Sequence, residues 1–135
     1  MALFEWDSSY SVSVAEIDKQ HQKLVAMIND LNDAMKQGKG KDILAGIIGE
    51  LFTYAGNHFA NEEKYFDKFA YPAAASHKLE HNNFVKKVSE FKNSFDSGQL
   101  ALTIEVINFL KDWLKNHIQG TDKKYGPFFN ENGLR

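Results

Sequence analysis

The stretch from His58 to His81, HFANEEKYFDKFAYPAAASHKLEH, constrains this chain more than any other. It holds two pairs of potential metal donors at four-residue spacing, His58 with Glu62 and His77 with His81, on either side of Tyr71-Pro72. A four-residue step stays on one face of a helix, so each pair can aim two donors at one point. The residue before a proline is pushed out of the helical region. The pairs therefore stand on two helices joined by a short turn, where they can share one metal centre. Three of the five histidines of the chain fall in this stretch.

The same apolar step recurs along the chain. Ile17, His21, Leu24, Ile28, Leu31 and Met35 alternate steps of four and three, which is a core seam with a histidine in a core slot. Gly38-Lys39-Gly40 stops that helix. The second seam runs Leu44, Ile47, Leu51, Tyr54, His58, Glu62, Tyr65 and Phe69, and the third His77, His81, Phe84, Val88, Phe91 and Phe95, closed by Ser97-Gly98. A fourth reads Leu102, Val106, Phe109, Trp113 and His117. Residues 1–16 lack the repeat and read as an extended arm pinned by Phe4, Trp6 and Tyr10. Strand-type alternation, internal repeats and linkers are absent. The expectation is an all-α chain: one domain over 1–135, an N-terminal arm over 1–16, and an antiparallel up-down-up-down four-helix bundle over 17–125.

The heights of the polar core residues agree. His21 lies 14 residues from Met35, Leu44 14 from His58, His81 14 from Phe95, and Leu102 15 from His117. At about 1.5 Å per residue, every helix puts its histidine roughly 21 Å from the same end. The five histidines and Glu62 thus form one layer beside the Tyr71-Pro72 turn. Burying five imidazoles without partners would cost roughly 1–3 kcal/mol each, so ligation to metal is the economical account.

Asp122 follows His117 by five residues, about 500° of helix and some 140° off its face. Taken alone, Asp122 reads as a C-terminal surface acid, and its candidacy rests on the layer and on the resemblance described below. For it to join the layer, either the helix widens locally, eased by Gly120, or the aspartate reaches a second metal beside the first. Five imidazoles and two carboxylates are too many donors for one ion and suit two. Imidazole and carboxylate together suit iron. If both carboxylates bridge, and an oxide or hydroxide bridges as well, eleven of about twelve octahedral positions are filled. With His77, His81 and His117 on one iron and His21 and His58 on the other, the open position falls on the second.

Composition narrows the function further. A formal charge of −2 gives no reason to expect nucleic acid or anionic membrane as partner. Without cysteine, disulfides, thiolate metal sites and cysteine nucleophiles are excluded. No leader-like or membrane-spanning run is present, so a cytoplasmic location is expected. The runs Lys86-Lys87 and Lys123-Lys124 read as solvated helix faces.

These residues resemble the hemerythrin family, and in particular its single-domain bacterial members, the bacteriohemerythrins. The likeness covers nearly the whole chain. It includes Trp6, Ile17-Asp18-Lys19-Gln20-His21 with Leu24, His58-Phe59 with Glu62-Glu63, and Tyr71-Pro72. His77-Lys78-Leu79-Glu80-His81 with Phe84, then Trp113 with His117-Ile118 and Asp122, complete it. Val25 and Phe66 depart from residues common in the family, Phe and Met, and bear on the pocket lining or access route.

The resemblance implies a non-haem di-iron site that binds dioxygen reversibly, with His21, His58, Glu62, His77, His81, His117 and Asp122 as ligands. Leu24, Phe59, Trp113, Leu114 and Ile118 are expected to line the oxygen pocket. A ferritin-like di-iron oxidase carries Glu three residues before a ligand His; here those positions hold Asp18, Ala55, Ala74, Lys78 and Leu114. The apolar pocket also offers no strong acid to deliver protons. The reading is therefore a carrier, store or scavenger and not an enzyme. An oxidase or peroxidase is one alternative. An oxygen or iron sensor is the other, disfavoured because a chain starting at Met1 leaves no room for an output domain.

Overall fold

A computed structural model describes residues 3–98 and 102–135. Among these it is all-helical and contains no strand. The long elements are α1 (Ala15–Lys36), α2 (Lys41–Phe69), α3 (Ala74–Asp96) and α4 (Ile104–Asn116). A π-helical turn (His117–Thr121) and a 3-10 turn (Asp122–Lys124) then lead into α5 (Tyr125–Glu131). Helix α2 packs between α1 and α3, α4 returns onto α1, and Phe84 of α3 stacks on Trp113 of α4 (4.1 Å), giving the expected antiparallel four-helix bundle. No helix among the described residues is long and apolar enough to cross a membrane.

Local chemistry sets the ends. Gly38 and Gly98 terminate α1 and α3 with positive φ (71° and 81°), as their sequence contexts suggest. Between α2 and α3 the stop comes one residue before the Tyr71-Pro72 pair. Ala70 itself takes the left-handed conformation (φ 54°, ψ 52°), and the N–H groups of Ala70 and Tyr71 both reach the Phe66 carbonyl. A side chain there crowds the backbone and costs about 1–2 kcal/mol. Ala70→Gly is accordingly expected to stabilise the chain by about 0.5–1 kcal/mol after the added freedom of the unfolded state is counted. The check is a higher urea midpoint at unchanged slope.

Two seams are centred one residue later than the four-three alternation marks. In α2, Ile48, Ala55 and Phe66 are buried where Ile47, Tyr54 and Tyr65 are half-buried. In α4, Ile107, Leu110 and Leu114 carry the core, while Phe109 is 38% exposed and Leu102 precedes the Thr103 cap. A bundle helix buries a stripe about 100° wide, not a line, so marking one column misplaces its neighbours.

The N-terminal segment is pinned by the expected aromatics but is not extended throughout, since Ser8–Tyr10 form a 3-10 turn capped by Asp7. Phe4 and Tyr10 are buried, and Trp6 packs on Tyr10 at 5.4 Å. Polar clamps add to this: Asn29 accepts from the Phe4 N–H (2.9 Å) and donates to its carbonyl (2.8 Å). Asp18 accepts from the Ser11 hydroxyl (2.6 Å) and the Val12 N–H (2.8 Å). Further along, Gly126 passes so close that a Cβ would lie 2.5 Å from the Val12 carbonyl oxygen. Only glycine lets α5 lie against this segment. Met1 and Ala2, the first two residues of the expected arm, lie outside the described residues.

Two apolar clusters result. The larger runs from Leu24 and Phe59 toward the Gly38 and Gly98 ends. The smaller joins Val12, Val14, Ile17, Phe66, Tyr125 and Phe129. A polar layer separates them.

Candidate metal centre

That layer consists of His21 from α1, His58 and Glu62 from α2, His77 and His81 from α3, His117 from the π turn and Asp122 from the 3-10 turn. Each is at most 3% exposed. Their donor atoms fall into two overlapping sets. Glu62, His77, His81, His117 and Asp122 form one, and His21, His58, Glu62 and Asp122 the other; within each set the donor atoms lie within 4.8 Å of one another. Only the two carboxylates belong to both.

Asp122 gets there by local widening, one of the two routes that its spacing left open. The π turn follows directly on α4, and the Asp122 N–H reaches back five residues to the His117 carbonyl. Its Oδ1 lies 2.8 Å from His77 Nε2 and 3.0 Å from His117 Nε2, and its Oδ2 3.1 Å from His21 Nε2. The carboxylate thus faces both sets, one oxygen to each. Glu62 directs Oε1 to His58 Nε2 (3.4 Å) and His81 Nε2 (3.2 Å), and Oε2 toward His21 Nε2 (3.7 Å).

Outside the layer, three imidazoles are fixed by acceptors. His58 Nδ1 donates to Gln20 Oε1 at 2.6 Å, His81 Nδ1 to Glu63 at 2.9 Å and His117 Nδ1 to Glu80 at 2.9 Å. An amide oxygen or a carboxylate only accepts, so each Nδ1 carries the proton and, in the neutral ring, Nε2 presents a lone pair inward. His81 Nε2 and His117 Nε2 face each other at 3.1 Å. Two lone pairs hold that distance only around a cation or with one of them protonated. His21 Nε2, His77 Nε2, Glu62 Oε1 and both Asp122 oxygens are buried without a hydrogen-bonding partner, their close approaches lacking hydrogen-bond geometry. This donor set fits a pair of metal ions.

Protons are the other means of balance. Burial pulls the His21 imidazole down, but Asp122 and Glu62 outweigh it and raise it from 6.5 to about 9. His117 behaves alike: burial lowers it, and Asp122, Glu62 and Glu80 together lift it to about 9. His58, where burial dominates, falls to about 4. Burial pushes Glu62 and Asp122 up, with repulsion from Asp122 adding to it at Glu62, yet the surrounding imidazoles hold both below the usual carboxylate range.

On the larger-cluster side the layer is capped by apolar residues. Phe59 stacks on His81 (4.0 Å, 10°) and Trp113 on His117 (4.4 Å, 14°). Leu24, Leu114 and Ile118 are buried in the same cluster. On the other side, the buried Tyr125 donates its hydroxyl to Glu62 Oε2 and stacks on His77 (5.6 Å, 26°). Sequence reading gave Tyr125 no role. Its only signal is a three-residue step from Asp122, and in an aromatic segment that passes for core. Gln20, Glu63 and Glu80 stand beside ligand positions in the motifs, but adjacency alone shows no bond.

The sequence matches the hemerythrin HHE cation binding domain over residues 12–129. The chain belongs to the hemerythrin family. Among its relatives are the bacteriohemerythrin of Pseudomonas aeruginosa PAO1, 37% identical over 125 residues (93% of this chain, 80% of the relative). That of Methylococcus capsulatus is 33% identical over 128 residues (94% and 97%). A hemerythrin-like protein of Naegleria gruberi shares 38% over 122 residues, 90% of each chain. A crystal structure of wild-type hemerythrin superimposes with a TM-score of 0.90 at 31% identity, covering 93% of this chain and 97% of that one. Family and cluster together make this a non-haem iron-binding hemerythrin domain.

Proposed function

We propose that this chain is a cytoplasmic carrier, store or scavenger of dioxygen and not an enzyme, holding dioxygen reversibly at a di-iron centre. His77, His81 and His117 would hold one iron, and His21 and His58 the other. Glu62 and Asp122 would bridge them, together with an oxide or hydroxide. The observation that carries this reading is the division of donors into a three-imidazole and a two-imidazole set sharing both carboxylates. Such a pair supplies, when bound, two reducing equivalents and an open coordination position. The rest is the work of side chains. Leu24, Phe59, Trp113, Leu114 and Ile118 wall the layer with apolar surface, exclude water and offer no proton donor there. Tyr125 holds Glu62 from the opposite side.

The test is one absorption experiment on protein reduced under nitrogen with two irons per chain. Exposure to dioxygen should bring up a band that disappears again when the gas is withdrawn. Irreversible oxidation with substrate turnover would favour an oxidase or peroxidase, and a gas-dependent change in assembly would favour a sensor.

The dry wall makes its own prediction. Leu24 is 2% exposed and one turn beyond His21. Leu24→Glu puts a carboxyl group where it can carry a proton or ligate iron. That variant should keep both irons and lose its oxygenated band about a hundredfold faster or more, the scale on which a general acid acts. Decay no faster than the parent at full iron would mean that shielding at Leu24 is not what protects the complex.

A further inference from the structure

The imidazoles that reach outward do so to different partners. On the three-histidine side, His81 and His117 each donate Nδ1–H to a carboxylate, Glu63 and Glu80, at 2.9 Å. Thr121 donates its hydroxyl to both oxygens of Glu80 (2.9 and 3.2 Å), fixing that carboxylate in place. On the two-histidine side, His58 donates to the neutral amide of Gln20, which also accepts from Asn61. His21 Nδ1 has no hydrogen-bond partner among the described residues. The two donor sets thus share both carboxylates but differ in imidazole number and in what stands outside, with two anions hydrogen-bonded behind one and none hydrogen-bonded behind the other.

Fixing a ring does not require an anion. Gln20 holds His58 at 2.6 Å, a shorter bond than either glutamate makes. A carboxylate behind an imidazole does something an amide cannot: it draws the Nδ1 proton toward itself, leaves more electron density on Nε2 and makes the ring a stronger base toward a cation. The benefit is greatest for the more highly charged ion.

On the di-iron reading, we infer that Glu63 and Glu80 are positioning residues that act through His81 and His117 to make the three-histidine iron the more tightly held and the first oxidised of the two. Gln20 leaves the two-histidine iron the weaker partner. The division of labour between an anchoring metal and a working metal, begun by the unequal number of imidazoles, is therefore widened by residues that touch neither.

Glutamine substitutions isolate charge from geometry, since glutamine keeps an acceptor oxygen. Glu63 and Glu80 are 30% and 43% exposed, so Glu63→Gln and Glu80→Gln are tolerated by the fold. The readout is equilibrium binding of iron(II) under nitrogen against a competing chelator, resolved into two steps, with the two reduction midpoints measured on the loaded protein. Each substitution should weaken the tighter step by about 10–100-fold and leave the weaker one nearly unchanged. The midpoint of the first iron to be oxidised should rise, by about 59 mV for each tenfold loss of ferric over ferrous affinity. Gln20→Glu should do the reverse, tightening the weaker step and narrowing the gap. A purely structural role predicts something else: Glu80→Ala would weaken binding and Glu80→Gln would restore the parental value, and that result overturns the inference. So does a parent with two irons whose affinities and midpoints ignore all three charge changes. A parent that binds fewer than two irons overturns the di-iron reading, and the inference with it.

Discussion

Glu62→Ala is expected to cost the protein both irons. Glu62 and Asp122 are the two residues common to both donor sets, so on the proposed di-iron reading its removal would take a ligand from each ion at once. It also strands the hydroxyl of Tyr125, which is fully buried and donates to Glu62. An unsatisfied buried donor costs about 1–3 kcal/mol by itself. The histidines should behave differently because each belongs to one set. His77→Ala should deplete the three-histidine iron, and His21→Ala should chiefly damage the two-histidine iron, where dioxygen is expected to bind. Iron content per chain and the oxygenated band separate these outcomes. A Glu62→Ala protein that retained two irons and bound dioxygen normally would remove Glu62 from the bridge.

How much of this could be read from residues alone depended on the kind of interaction. The bundle was legible because four apolar stripes with short breaks admit few other packings. The layer was legible because histidine and glutamate in core slots are costly enough to need an explanation, and their heights coincide. Asp122 illustrates the boundary: its five-residue offset from His117 left open whether the helix widened or the aspartate reached a second metal, and the choice depended on backbone geometry. The π turn supplies it. Phe109 lay beyond that boundary, since a one-residue offset in a broad stripe turns an apparent core residue outward. Tyr125 and the outer acceptors were hidden for another reason. A hydrogen bond between Tyr125 and Glu62 spans 63 residues, and no local spacing encodes a contact between segments so far apart.

Removing the metal should lower the melting temperature sharply, and by an amount that grows with pH. Two ions each present at a thousand times their dissociation constant stabilise the fold by about 8 kcal/mol together, or roughly 30 °C for a domain of this size. Without metal, protonated His21 and His117 balance the two buried carboxylates. Both are raised from 6.5 to about 9 in the folded protein. Their contribution is therefore fully present below pH 6.5 and is lost as pH climbs through about 9. His58 has the opposite sign: depressed to about 4, it stays neutral when folded and penalises the fold as pH drops from 6.5 toward 4. The metal-free protein should be most stable near pH 6.5 and melt lower on both sides. On the proposed ligand set, metal binding would run against this trend on the alkaline side, because His21 and His117 could ligate only after giving up their protons. Two displaced protons make the combined affinity rise about a hundredfold per pH unit below 9. Melting curves of loaded and metal-free protein, taken from pH 6.5 to 9, should therefore diverge. A metal-free melting temperature that held level or rose over that range would show that His21 and His117 are not the protonated partners of Glu62 and Asp122.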